Sequence, residues 1–137
     1  MHLTQDNSLG FALTTTLNVL RKKFNSEIKK FDLSSEQFAV LKLIEKEALT
    51  PTELSNILKR DKANITRIVN SLEKKEFIQK KKINEKSFEV VITKKGLSNL
   101  QKAEKIAVDL NKKIRTILDD KEFECLIKTL NKIKNNF

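Results

Sequence analysis

Two glycines and one proline in 137 residues constrain this chain more than any other feature. Gly10, Pro51 and Gly96 leave no room for a flexible linker, a low-complexity tract or a second domain, so the chain reads as one mostly helical unit. Its helix boundaries must then be written in capping residues. Ser34 and Gln37 form a capping box, with Leu33 and Phe38 as the hydrophobic staple around it. Thr50 and Glu53 repeat the pattern around Pro51, stapled by Leu49 and Leu54, and Asp119 with Glu122 makes a third box near the end.

Between these signals the apolar periodicity places six helices. Leu13, Leu17, Leu20, Phe24, Ile28 and Phe31 recur at steps of three and four, which predicts one long helix from Leu9 to Phe31. A second helix is expected over residues 35–47, and a short third one ends near Lys59. The fourth, Ala63 to Lys75, buries Ile65, Ile68, Val69 and Leu72 and turns Asn64, Arg67, Asn70 and Lys74 outward. The period then changes to two: Phe88, Val90 and Ile92 alternate with their neighbours, and the polar INEK before them suits a hairpin turn back from residues 77–83. Thr93 caps a fifth helix reaching about Leu118. Phe123, Leu126, Ile127, Leu130 and Ile133 mark a sixth.

A formal charge of +10 favours polyanionic partners, and its distribution says more than its sum. Residues 59–86 hold ten lysines and arginines against four acids. Two helices joined by a tight polar turn, followed at once by a basic hairpin, is the order of a winged helix-turn-helix. The fourth helix can lay asparagine and arginine against base edges in the major groove of double-stranded DNA, while hairpin lysines follow phosphates or enter the minor groove. Asn64 and Arg67 are assigned to base edges and Thr66 and Lys62 to the backbone. Thr52 is placed at a phosphate-facing helix N-terminus, and Arg60, Asn70, Lys74, Lys80, Lys81, Lys82, Asn84 and Lys86 complete the expected surface. The bland alternative is a solvated amphipathic face, but such a face carries glutamates paired with lysines, and none stands between Lys62 and Ser71.

The stretch ELSNILKRDKANITRIVNSLEKKEFIQKKKINEKSFEVVITKKG resembles the winged-helix core of the MarR family of bacterial transcription regulators, notably in ITRIVNSLEKK and VVITKKG. The resemblance extends over nearly the whole chain. It implies a DNA-binding core at about residues 34–96 and dimerisation helices at about 9–31 and 97–137. The implied assembly is a homodimer on a pseudo-palindromic operator, more often a repressor, with a small aromatic or anionic effector in a cleft beside the winged lobe. Leu13, Leu17, Leu20, Phe24, Leu126, Leu130 and Ile133 are the expected dimer contacts, since these stripes exceed what a small winged core can cover. Packing of the first helix on the fifth and sixth within one chain is the alternative.

Two positions depart from the family pattern. An Asp-x-Arg motif at the wing is replaced by Asn84, Glu85 and Lys86, so wing contacts should be less rigid and less specific. Glu76 stands where a glycine commonly ends the recognition helix; a left-handed cap there would cost about 1 kcal/mol, and the helix is expected to end differently.

Other functions find less support. One histidine, His2, and one cysteine, Cys125, supply neither a metal site nor a catalytic set, so no cofactor, metal or enzymatic activity is expected. Cys125 reads as a buried inert thiol. No apolar run spans a bilayer and the N-terminus lacks a signal peptide, which predicts a cytoplasmic protein. A winged module docking an acidic protein is the second reading, and a basic helical protein on an acidic membrane is the third.

Overall fold

The computed structural model describes residues 1–137. Six α-helices and one antiparallel hairpin follow in the order α1 (Leu9–Ile28), α2 (Ser35–Ile44), α3 (Pro51–Leu58), α4 (Lys62–Lys74), β1 (Ile78–Asn84), β2 (Ser87–Ile92), α5 (Lys94–Ile117) and α6 (Asp120–Lys134). All three capping boxes form. In each, the cap oxygen of Ser34, Thr50 or Asp119 accepts from the backbone N–H three residues on, and the side chain of Gln37, Glu53 or Glu122 returns the bond. Asp61 caps α4 in the same way, accepting from the Asn64 N–H at 2.8 Å, although its sequence context offers no box.

Two helices are shorter than their periodicity suggests. The α1 helix gives way to a 3₁₀ turn at Lys29–Phe31, where Asp32 takes a left-handed conformation and turns the chain towards α2. The α2 helix stops at Ile44 because Leu49 is drawn onto β2: its N–H donates to the Val90 carbonyl and the Val90 N–H donates back at 2.7 Å. That isolated bridge adds a minimal third strand to the hairpin and buries Leu49.

The winged lobe surrounds a core in which Ile28, Val40, Leu41, Ile44, Leu54, Ile65, Val69, Leu72, Phe77, Ile78, Val90 and Leu100 are almost wholly buried. Phe24, expected at a dimer contact, lies in this core of its own chain, edge-on to Phe38 at 5.1 Å. The α5 helix leaves the lobe and runs beside α1. Lys42 of α2 ties α5 to the lobe, its pKa raised by hydrogen bonds to Glu104 of α5 and Glu45. By contrast, α6 buries none of its residues, and its contact with α5 is an Arg115–Asp120 ion pair with the Arg115 guanidinium over Phe123. Cys125 is exposed rather than buried: it sits off the apolar stripe of α6, with Sγ 3.9 Å from Thr129 Oγ1.

The α4 helix does end in a left-handed residue, contrary to expectation. Glu76 has φ 63°, and this conformation lets the Phe77 N–H reach back to the Leu72 carbonyl while Phe77 itself is buried. The residue is retained at some conformational cost because Phe77 must enter the core at that point.

Candidate nucleic-acid interface

The α3–turn–α4 pair and the hairpin behind it form one continuous polar surface. On α4, Ala63, Thr66, Arg67, Asn70, Ser71 and Lys74 line a shallow open concavity. Thr66, Arg67, Asn70 and Lys74 are exposed on it, and Asn64 is half-buried at its edge. Lys62, at the helix entry, is exposed, as is Thr52 in the first turn of α3. Ile65, Ile68, Val69 and Leu72 are buried on the other side, so the polar stripe is the free face of a helix anchored from behind.

Arg67 is not free within this face. Its Nη2 donates to Asn64 Oδ1 at 3.1 Å and to Glu36 Oε2 at 3.4 Å, while the other oxygen of Glu36 accepts from Arg60 Nη1 at 3.4 Å. Glu36 lies in the first turn of α2, far from α4 in sequence, so no local spacing could have revealed it. Arg60 is therefore turned inward, towards α2, instead of standing at the DNA-facing entry to α4.

The hairpin separates its lysines by the strand period. Ile78, Lys80 and Lys82 share one side of β1, opposite Ile92, Val90 and Phe88 on β2. Lys80 lies over the inner part of this row: its Nζ donates to Asn70 Oδ1 at 2.6 Å, pairs with Glu73 at 3.4 Å and sits 5.2 Å from the Phe88 ring centre. It braces the wing against α4, which differs from the free phosphate contact expected of it. Lys81, Lys82 and Lys86 are exposed and take part in none of the chain's ion pairs. At the tip, Asn84 Oδ1 accepts from the Lys86 N–H at 2.9 Å, which fixes the turn with the residue that replaces the family's aspartate.

Behind the surface lies a cavity of about 330 Å³ between α1, α2, α5 and the lobe. Leu17, Leu20, Phe24, Ile68 and Leu110 form apolar wall, and Arg21, Glu36 and Arg60 give it a polar end. The remaining apolar surface is on the helices outside the lobe. Leu13 and Leu17 are exposed on α1 and Leu126 and Ile127 on α6, while Leu20, Leu130 and Ile133 are half-exposed. No helix is long and apolar enough to cross a membrane.

A recognition-type helix packed at its back, a supporting helix before it and a basic hairpin after it define a winged helix-turn-helix protein. Residues 33–85, from α2 to the wing, match the MarR family. The HTH-type transcriptional regulator SarZ of Staphylococcus haemolyticus is 30% identical over 95 residues, which span 67% of this chain and 65% of that protein. The match thus covers just under two thirds of that relative's length. A MarR mutant from E. coli, solved in complex with operator DNA, has the same fold with a TM-score of 0.86 at 22% identity, over 97% of this chain and 99% of that one. The transcriptional repressor CouR, solved bound to p-coumaroyl-CoA, also has a TM-score of 0.86, at 21% identity over 100% and 99% of the two chains. The winged-helix segment at residues 33–85 is thus of the MarR family, and the chain around it shares the fold of these regulators.

Proposed function

We propose that this protein is a sequence-specific DNA-binding transcription regulator, a cytoplasmic repressor that acts as a homodimer without catalysing a reaction. The observation that carries the reading is the free face of α4: Thr66, Arg67, Asn70 and Lys74 stand exposed on a helix rigidly packed from behind, with unpaired Lys81, Lys82 and Lys86 on the wing beside it. Major-groove readout needs hydrogen-bonding side chains on a rigid helix, and backbone contact needs cations whose charge is not already neutralised. Arg67 and Asn64 take the base edges, Asn70 lies along the same face, and Lys62, Thr66, Thr52 and Lys74 take the phosphates. The wing follows the backbone or the adjacent minor groove.

Homodimerisation is supported by the apolar surface that one chain leaves open on α1 and α6, and by the absence of any buried residue on α6. The cavity between the lobe and α1, α2 and α5 suits a small, partly apolar effector whose anionic group faces Arg21 and Arg60. Release from DNA by such a molecule is the regulatory step of this reading.

Titration of a random-sequence duplex at rising salt tests the DNA-binding claim. One dimer should bind each site, with an affinity that falls linearly on a log–log plot against salt. No binding at low ionic strength would instead favour docking of an acidic protein to the same surface.

A further inference from the structure

The carboxylate of Glu36 stands beside a surface otherwise suited to phosphate, which an acid would repel unless it had another task. Its side chain is only 29% exposed and lies behind Arg67, away from the outer edge of the face. One oxygen accepts from Arg60 and the other from Arg67, whose Nη2 also donates to Asn64. Arg60 is itself held in place: its N–H donates to the Ser55 carbonyl at 3.2 Å, and the Ser55 hydroxyl donates to the Arg60 carbonyl at 2.5 Å. The sequence of contacts runs from the α3–α4 turn through Arg60 and Glu36 to Arg67 and Asn64, the two residues assigned to base edges.

We propose that Glu36 is a positioning residue for sequence readout, a carboxylate steadied by Arg60 that sets the Arg67 guanidinium, together with Asn64, in the orientation used against a base pair. A guanidinium offers five N–H donors in a planar fork, and because both bonds within the chain leave from Nη2, the Nη1 and Nε donors stay open to an acceptor on a base. Arg67 bonds no other acceptor in the chain through Nε or Nη1. An arginine at 64% exposure would otherwise sample many rotamers, and phosphates on any sequence would draw it as readily as a guanine edge. Glu36 thus favours the bound geometry and discourages indiscriminate phosphate contact by one stroke of charge.

The inference rests on Arg67 reading bases, and the test keeps the two claims apart. The quantity measured is the ratio of Kd for a random duplex to Kd for a duplex the protein itself selects from a random pool. Arg67→Ala should lower this ratio strongly. Glu36→Gln, which keeps the shape and removes the charge, should lower it about two- to fivefold, the range of an exposed ion pair, while binding to random DNA becomes slightly tighter. Glu36→Asp should fall between Gln and the parent. In the Arg67→Ala background Glu36→Gln should change the ratio no further, because its effect passes through that arginine. A fall for Arg67→Ala with none for Glu36→Gln would overturn the positioning role alone. An unchanged ratio for Arg67→Ala would overturn the readout assignment on which it depends. Equal weakening on both duplexes by Glu36→Gln would show a merely structural role and also overturn the proposal.

Discussion

Replacing the wing lysines separately should divide them into two kinds. Lys81 and Lys82 are exposed and unpaired within the chain, whereas Lys80 is engaged with Asn70, Glu73 and the Phe88 ring. Each phosphate neutralised by a lysine contributes about 0.9 to the slope of log K against log salt on B-form DNA. Substituting alanine at both 81 and 82 should therefore flatten that slope by about 2 per chain. Over a fourfold rise in salt this is roughly tenfold less loss of affinity per chain, hence roughly a hundredfold less than the parent for a dimer with both wings on DNA. Lys80→Ala should leave the slope nearly unchanged. Its effect should be on the wing's attachment, costing about 1–2 kcal/mol of stability through the charge-assisted bond to Asn70 and the lost cation–π contact. Fluorescence anisotropy with a labelled random duplex at several salt concentrations gives the slopes, and thermal unfolding gives the stability. A slope change for Lys80→Ala as large as that for one of the other two would refute the division.

Three further outcomes follow from packing. A methyl group on Gly96 would lie 2.1 Å from the Phe77 carbonyl oxygen, which already accepts from the Thr93 N–H, so Gly96→Ala should destabilise the fold by about 2–4 kcal/mol in urea titration. Glu76→Gly should stabilise it by about 1 kcal/mol, since the left-handed residue gains freedom from strain and the exposed pair with Lys95 at 3.9 Å contributes little. Leu126→Asp should shift the protein from dimer to monomer in sedimentation velocity while the far-ultraviolet circular dichroism of the lobe is retained; an unchanged dimer would remove α6 from the interface.

Local signals in the sequence carried much of this architecture, and the places where they failed share a cause. Caps and periodicity act over a few residues, so Ser34, Thr50 and Asp119 mark their helices without help from the rest of the chain. The early end of α2 depends on Leu49 pairing with Val90, forty-one residues away, and no spacing near Leu49 announces it. Glu36 is missed for the same reason: it acts on Arg60 and Arg67 from another helix. Lys80 was legible in principle, because a strand period of two puts it in the row of Ile78, but three successive lysines conceal the alternation. Glu76 illustrates tertiary demand over local preference, as Phe77 can be buried only if its predecessor turns left-handed.

The central claim is that a dimer reads sequence through α4, and selection of preferred duplexes from a random pool tests it most directly. Two inverted half-sites about one helical turn apart, with the preference lost in Arg67→Ala, are the predicted result. Enrichment of no sequence, or of a single half-site by a protein that remains monomeric, would contradict it.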